Sequence, residues 1–330
     1  MLKPLIRRKL ESLTQLPTIP FVVAEVLQLV ESSEVSAVHL ANLIEKDQAL
    51  AAKVLRVANS PFYGFSRKIS TIDLAIVVMG IDTLKEILLS LVIQKFYGNI
   101  KAELFDIKAF WHYSVFSGAC SRLLARKLGY RLVGEAFVAG LMHDIGILIL
   151  IQFFNRQFKE IRKVQNLQNI SLIDAEKVVL DCTHCDIGAW IAERWNLPSQ
   201  HCLAISNHHS SFIEVKSTTV INNNKNDSLH IEDPEIVEEI NFSEVEQPLT
   251  IIVAMTEWFA QKMGFKSWSN ESKPSNLYLA FQILDELSQH DILQADSAFN
   301  LLKKEILEEY QKASVFIEIP GKLVSKEEVE

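Results

Sequence analysis

The segment FVAGLMHDIGILIL, Phe137–Leu150, decides how the rest of the chain is read. It sits in an apolar run from Ala136 to Phe154 that is nearly long enough to cross a bilayer, but His143-Asp144 interrupts it at the centre. A charged pair at that depth is costly in lipid. A buried helical segment folded around a polar site accounts for the same pattern, so the stretch is read as protein core.

Working outward, apolar residues recur at helical spacing on both sides. Ala37, Leu40, Ala41 and Ile44 follow an i, i+3, i+4, i+7 pattern, and Leu84, Ile87, Leu88 and Leu91 repeat it. Ser36 and Asp47 stand at N-cap positions, and Ser70 with Asp73 has the spacing of a capping box. Asn59-Ser60-Pro61 ends a helix, and 61–70 reads as a loop that exposes Phe62, Tyr63 and Phe65. Those aromatics form either a partner-binding patch or a packed turn. Residues 1–105 are therefore predicted as an N-terminal helical subdomain. It opens with an amphipathic helix whose polar face carries Lys3, Arg7, Arg8 and Lys9.

Residues 106–313 are predicted as a second helical core. Its first helix runs from Ile107 to Leu128 and is stopped by Gly129; others follow at 133–142, 147–166, 171–180, 183–195, 199–209, 249–263, 277–287 and 296–312. Between them, 210–247 loses all apolar periodicity and turns acidic, the pattern of a polar loop insertion. Residues 314–330 read as a charged tail. With 11 glycines and 9 prolines in 330 residues there are few turn signals, so the fold class is all-α.

Composition narrows the partners. A formal net charge of −8 and the absence of a basic recognition helix argue against nucleic acid and against anionic membranes. Four cysteines, with charges rather than an apolar leader after Met1, point to reduced thiols and a cytoplasmic location. The CxxC spacing of Cys182 and Cys185 has no second copy and is read as structural.

Histidine carries the chemistry. His112 lies early in a long helix, His143-Asp144 breaks the apolar run, and His184 begins a helix after a capping Asp181. His208-His209 closes another helix, and Glu257 lies inside the apolar IIVAMTEWFA. Imidazoles and carboxylates on rigid helices are the donors a divalent ion needs in a hydrolase. The same residues could also form a buried hydrogen-bonded network without an ion. His39, His201, His230 and His290 fall outside the pattern and read as surface or helix-end residues.

Five segments together carry a resemblance. They are LPTIPFVVAEVLQLV (Leu16–Val30), KVLRVANSPFYGFSRKISTIDLAIVVMGIDTLKEILLSL (Lys53–Leu91), FVAGLMHDIGILIL, HCDIGAWIAERWNLP (His184–Pro198) and ISNHH (Ile205–His209). The chain resembles the HDOD family, the HD-related output domain of bacterial signalling proteins, a divergent branch of the HD and HD-GYP phosphohydrolases. The likeness implies a multi-helical HD-like core with an N-terminal helical subdomain packed against it. It implies His112, His143, Asp144, His184, His208 and His209 as metal-ligand positions, with Glu257 where the superfamily usually has Asp. One or two ions of manganese, iron or zinc would be held there.

Two departures weigh against turnover. Ile147 stands where active phosphodiesterases carry Lys, and Ser210-Ser211-Phe212-Ile213 replaces the GYP segment. The expectation is a signal-transduction regulatory module without catalysis. It would bind a small-molecule or nucleotide ligand, or signalling proteins supplied by separate chains, in the groove between its subdomains. The alternative is a metal-dependent phosphohydrolase or phosphodiesterase acting on a cyclic di-nucleotide type of substrate.

Overall fold

The computed structural model describes residues 4–12, 20–30, 36–99, 105–209, 247–265 and 295–317. Every regular element among them is a helix. The N-terminal set is α1 (Pro4–Glu11), α2 (Phe21–Val30), α3 (Ala37–Glu45), α4 (Gln48–Ala58) and α5 (Ile72–Asn99). The core set is α6 (Ile107–Lys127), α7 (Val133–Met142), α8 (Ile145–Phe153), α9 (Asn155–Gln168), α10 (Leu172–Leu180), α11 (His184–Arg194), α12 (Ser199–Asn207), α13 (Pro248–Lys262), α14 (Ala295–Lys312) and α15 (Ser314–Ile317). The helix expected at 277–287 and the insertion at 210–246 lie outside the described residues.

Local chemistry sets the boundaries. Ser36 caps α3 through the His39 N–H, and Asp47 accepts from the Ala49 and Leu50 N–H groups at the start of α4. The cap expected on Ser70 falls one residue later, where Thr71 Oγ1 accepts from the Leu74 N–H. Gly129, at φ 71°, ends α6 in a left-handed turn that sends the Tyr130 N–H back to the Ala125 carbonyl. Gly80, at φ 81° and ψ 165°, breaks α5 into two rods. The single helix expected over 147–166 divides at Phe154, whose ring is buried while its backbone leaves the helical region (φ −125°, ψ 35°).

Helix α6 is the hub. Its residues from Phe110 to Ala125 are almost all buried, and α7 crosses it through small residues. A Cβ on Gly118 would lie 2.9 Å from the Phe137 carbonyl oxygen, and one on Gly140 would lie 2.5 Å from that of Ser117. The apolar stretch Val133–Phe153 meets the length and hydropathy of a membrane span, yet 89% of its most apolar window is buried within the fold. Its hydrophobicity is spent on core packing.

The C-terminal helices close the core from far along the chain. The Phe316 carbonyl accepts hydrogen bonds from Gln94 Nε2 and Trp111 Nε1, each 2.9 Å. The Phe316 ring packs against Phe62 and Phe137, with centroids 5.4 and 5.0 Å away. Residues 314–317, expected in a charged tail, thus form a helical turn that buries Phe316 in the core and packs Val315 and Ile317 against it. Phe62 is a second correction: it is buried, with the Arg122 guanidinium 3.9 Å above its ring. Tyr63 and Phe65 are half-buried and stack at 6.4 Å, so the aromatic turn packs inward instead of forming an exposed patch.

Arg122 also donates to the Phe62 carbonyl (2.9 Å) and to Glu309 Oε1 (3.0 Å), and Arg126 pairs with the same carboxylate. Glu309 is buried, so truncating it removes the carboxylate that pairs with the largely buried Arg122. Glu309→Ala is expected to cost about 3 kcal/mol or more, the scale for breaking a buried pair from one side. Denaturant unfolding checks this; a loss below about 1 kcal/mol would mean that water already screens the pair.

Candidate metal centre

The joint between α7 and α8 presents two adjacent side chains to the interior. His143 and Asp144 fill the turn there, where the chain need not keep helical spacing. The Gly140 carbonyl at the end of α7 accepts from His143 Nδ1 (2.7 Å), and the Ile205 carbonyl at the end of α12 accepts from His208 Nδ1 (2.8 Å). A carbonyl can only accept, so both rings carry a proton on Nδ1 and turn Nε2 inward. His184, the first residue of α11, is held the same way. Its Nδ1 and backbone N–H both reach the fully buried Glu176 Oε2, each 2.8 Å.

The three Nε2 atoms converge on one carboxylate. His143 lies 3.3 Å from Asp144 Oδ2, while His184 and His208 lie 3.2 and 3.5 Å from Oδ1. Glu257 of α13 closes the other side, 3.7 Å from His143 Nε2 and 3.1 Å from His209 Nδ1. The Tyr113 hydroxyl and His143 Nε2 share a 3.1 Å hydrogen bond. What brings α8 and α11 together is glycine on both: Gly146 packs against the His184 carbonyl, and a Cβ on Gly188 would lie 3.3 Å from the Gly146 nitrogen.

Charge is concentrated in this interior. Burial opposes ionisation of Asp144, yet the neighbouring His143 holds it well below the usual carboxylate range. Burial likewise opposes a proton on His208, but the adjacent Cys185 lifts it to about 9. Among the described residues no Lys or Arg pairs with Asp144, Glu176 or Glu257.

The residues fit a divalent ion. Glu257 Oε1 is buried without a hydrogen-bond partner, and Asp144 Oδ1 meets only imidazole nitrogens, an arrangement that is costly unless something cationic satisfies it. Ligands about 2 Å from one ion lie roughly 3 to 3.5 Å apart, matching the spacing between the imidazoles and Asp144. Two overlapping donor sets have all their ligand atoms within 4.8 Å of one another: His143, Asp144, His208 and Glu257, and His184, Cys185, His208 and His209.

His112 does not join either set; its Nδ1 shares a 3.0 Å hydrogen bond with the Tyr310 hydroxyl. His201, expected at the surface or a helix end, lies in the first turn of α12 and is buried, and desolvation brings it down to about 4. The cap assigned to Asp181 belongs to Thr183, which forms a capping box with Asp186; Asp181 instead ends α10 in a left-handed turn. Glu176, Tyr113 and Cys185 were not among the expected site residues. Glu176 had a signal: it falls on the apolar stripe of Leu172, Ile173 and Leu180. Ile147 is fully buried, so no cation stands at that position.

A family model described as HDOD domain matches residues 16–211. An uncharacterised protein of Treponema pallidum (strain Nichols) is 24% identical over 201 residues, 61% of this chain, and the chain spans 39% of that relative's length. Two solved structures share the fold at 21% identity. One is an HDOD domain protein of unknown function from Geobacter sulfurreducens, covering 94% of this chain and 97% of its own, with a TM-score of 0.67. The other is a candidate phosphohydrolase from Shewanella amazonensis SB2B, covering 93% and 97%, with a TM-score of 0.62.

Proposed function

Because this chain belongs to the HDOD domain family, we propose that it is a cytoplasmic signalling module that holds divalent metal in its core and acts by binding, without turnover. One observation carries the reading. The donor cluster is nearly solvent-free and has metal-ligand geometry, yet among the described residues it has no Lys or Arg paired to it that could also meet a substrate phosphate. In this role the ion pins α8, α11, α12 and α13 to one point. Its occupancy sets the rigidity of the surface offered to signalling proteins on other chains.

A cavity of about 390 Å³ supports a place for a small ligand. It lies between the Gly80 break of α5 and the start of α7, and its walls include Tyr63, Glu86, Arg131 and His201. A ligand there would touch both subdomains.

The second reading is a phosphohydrolase, favoured by the donor set and by the fold shared with the Shewanella amazonensis protein. A bound ion would supply an acidified water for such chemistry. His143, Asp144, His208 and Glu257 would hold that ion, and Glu176 would fix the His184 ring.

One experiment separates the readings. Elemental analysis of chelator-free protein is expected to find metal that Asp144→Ala loses. Hydrolysis of bis(p-nitrophenyl) phosphate is expected at the same background rate in both proteins. A rate that depends on Asp144 would establish the hydrolase instead, and metal-free wild type after supplementation with manganese, iron or zinc would reduce the cluster to a hydrogen-bonded network.

A further inference from the structure

The second donor set contains no carboxylate. It joins His184 and Cys185 on the first turn of α11 with His208 and His209 beyond the end of α12. Cys185 is buried, and its Sγ lies 3.9 Å from His208 Nε2. His184 Nε2 is fully buried and is turned inward because Glu176 occupies Nδ1; there it lies 3.2 Å from Asp144 Oδ1, at the border of the two donor sets. The first donor set, by contrast, is half carboxylate.

We propose that Cys185 provides a thiolate ligand to a second metal position, formed with His184, His208 and His209, which selects zinc or ferrous iron over manganese or magnesium and leaves His143, Asp144 and Glu257 to the first. The inference rests on the metal-holding reading above and deepens it. Thiolate and imidazole are soft and borderline donors, whereas the carboxylates of Asp144 and Glu257 suit harder ions, so the two positions differ in preference. Charge supports a pair of ions. Asp144, Glu176, Cys185 and Glu257 bring four anionic groups to the centre, and two divalent ions balance them. The thiol proton leaves to solvent as the metal–sulfur bond forms. Cys182 is absent from both donor sets, so the CxxC spacing is incidental and only its second cysteine is a ligand.

Cobalt(II) is the probe, because a cobalt–thiolate bond adds a near-ultraviolet charge-transfer band that nitrogen and oxygen ligands do not. Wild type loaded with cobalt is expected to show the band. Cys182→Ser is expected to keep it. Cys185→Ser is expected to lose it while retaining cobalt at the carboxylate position. The zinc-over-manganese preference of Cys185→Ser should fall by at least roughly tenfold, since even groups behind a ligand matter that much. Circular dichroism matching wild type confirms that the variant is folded, and Cys185→Ala serves if serine disturbs packing. Cobalt bound to wild type without the band overturns this inference alone. Failure of wild type to bind cobalt overturns the metal-holding reading and this inference with it. A band lost equally in Cys182→Ser also refutes the assignment to Cys185.

Discussion

Gly146→Ala is expected to abolish metal retention and to lower stability by about 3 kcal/mol, at the upper end of overpacking costs. A Cβ at this position would fall inside the His184 carbonyl oxygen, 2.7 Å from its carbon and 2.9 Å from the Gly188 nitrogen. All three neighbours are backbone, so no rotamer change relieves the overlap and α11 must move away from α8. His184 and Cys185 ride on the first turn of α11 and would be carried off Asp144. Gly188→Ala provides the contrast. Its added methyl first meets the Ile205 side chain, at 2.8 Å, and a side chain can yield. Metal content and denaturant midpoints are expected to rank wild type, then Gly188→Ala, then Gly146→Ala well below. If Gly146→Ala holds metal as well as Gly188→Ala does, backbone contact is not what positions the centre.

Glu86→Gln is expected to stabilise the protein at alkaline pH and to do little in acid. Glu86 is buried, accepts a 3.0 Å hydrogen bond from the Tyr63 hydroxyl, and sits against Gly134 at the start of α7. Burial pushes its carboxyl from 4.5 up to about 7, although Arg122 nearby works in the other direction. For an acid raised in the folded state, the neutral form is the one the fold favours. Its contribution is complete below pH 4.5 and is lost as pH rises through 7. A shift of that size corresponds to on the order of 3 kcal/mol. Glutamine keeps an oxygen for Tyr63 and carries no charge. Unfolding at pH 5 and pH 8 should therefore converge at the lower pH and differ by about 3 kcal/mol at the higher. Parallel pH profiles for the two proteins would show that Glu86 stays hydrated or paired on ionisation.

Much of the architecture was legible in the residues. The apolar spacing of α3, α5 and α6 and the caps at Ser36, Asp47 and Gly129 are local features, and local features are what a sequence displays directly. His143, Asp144, His184, His208, His209 and Glu257 do meet in one interior, since each is a polar residue inside or at the end of an apolar helical stretch. What escaped notice depends on distant partners. Phe62 looked exposed because Arg122, sixty positions away, covers it. His112 looked like a ligand because Tyr310, which engages it, comes 198 residues later. Cys185 reads as structural because its CxxC spacing has no second copy, while its actual neighbours include His208 and His209 from beyond the end of another helix. The break at Phe154 has no glycine or proline to announce it.

The Phe316 carbonyl has a consequence for biosynthesis. Its two donors, Gln94 and Trp111, precede it by 222 and 205 residues. As the ribosome works from the N-terminus, the aromatic face of α6 is made long before the segment that covers it. During that interval the nascent chain carries bare apolar surface, the kind that recruits chaperones and seeds aggregation. Contacts this far apart in sequence also slow refolding, because a long loop must close before they form.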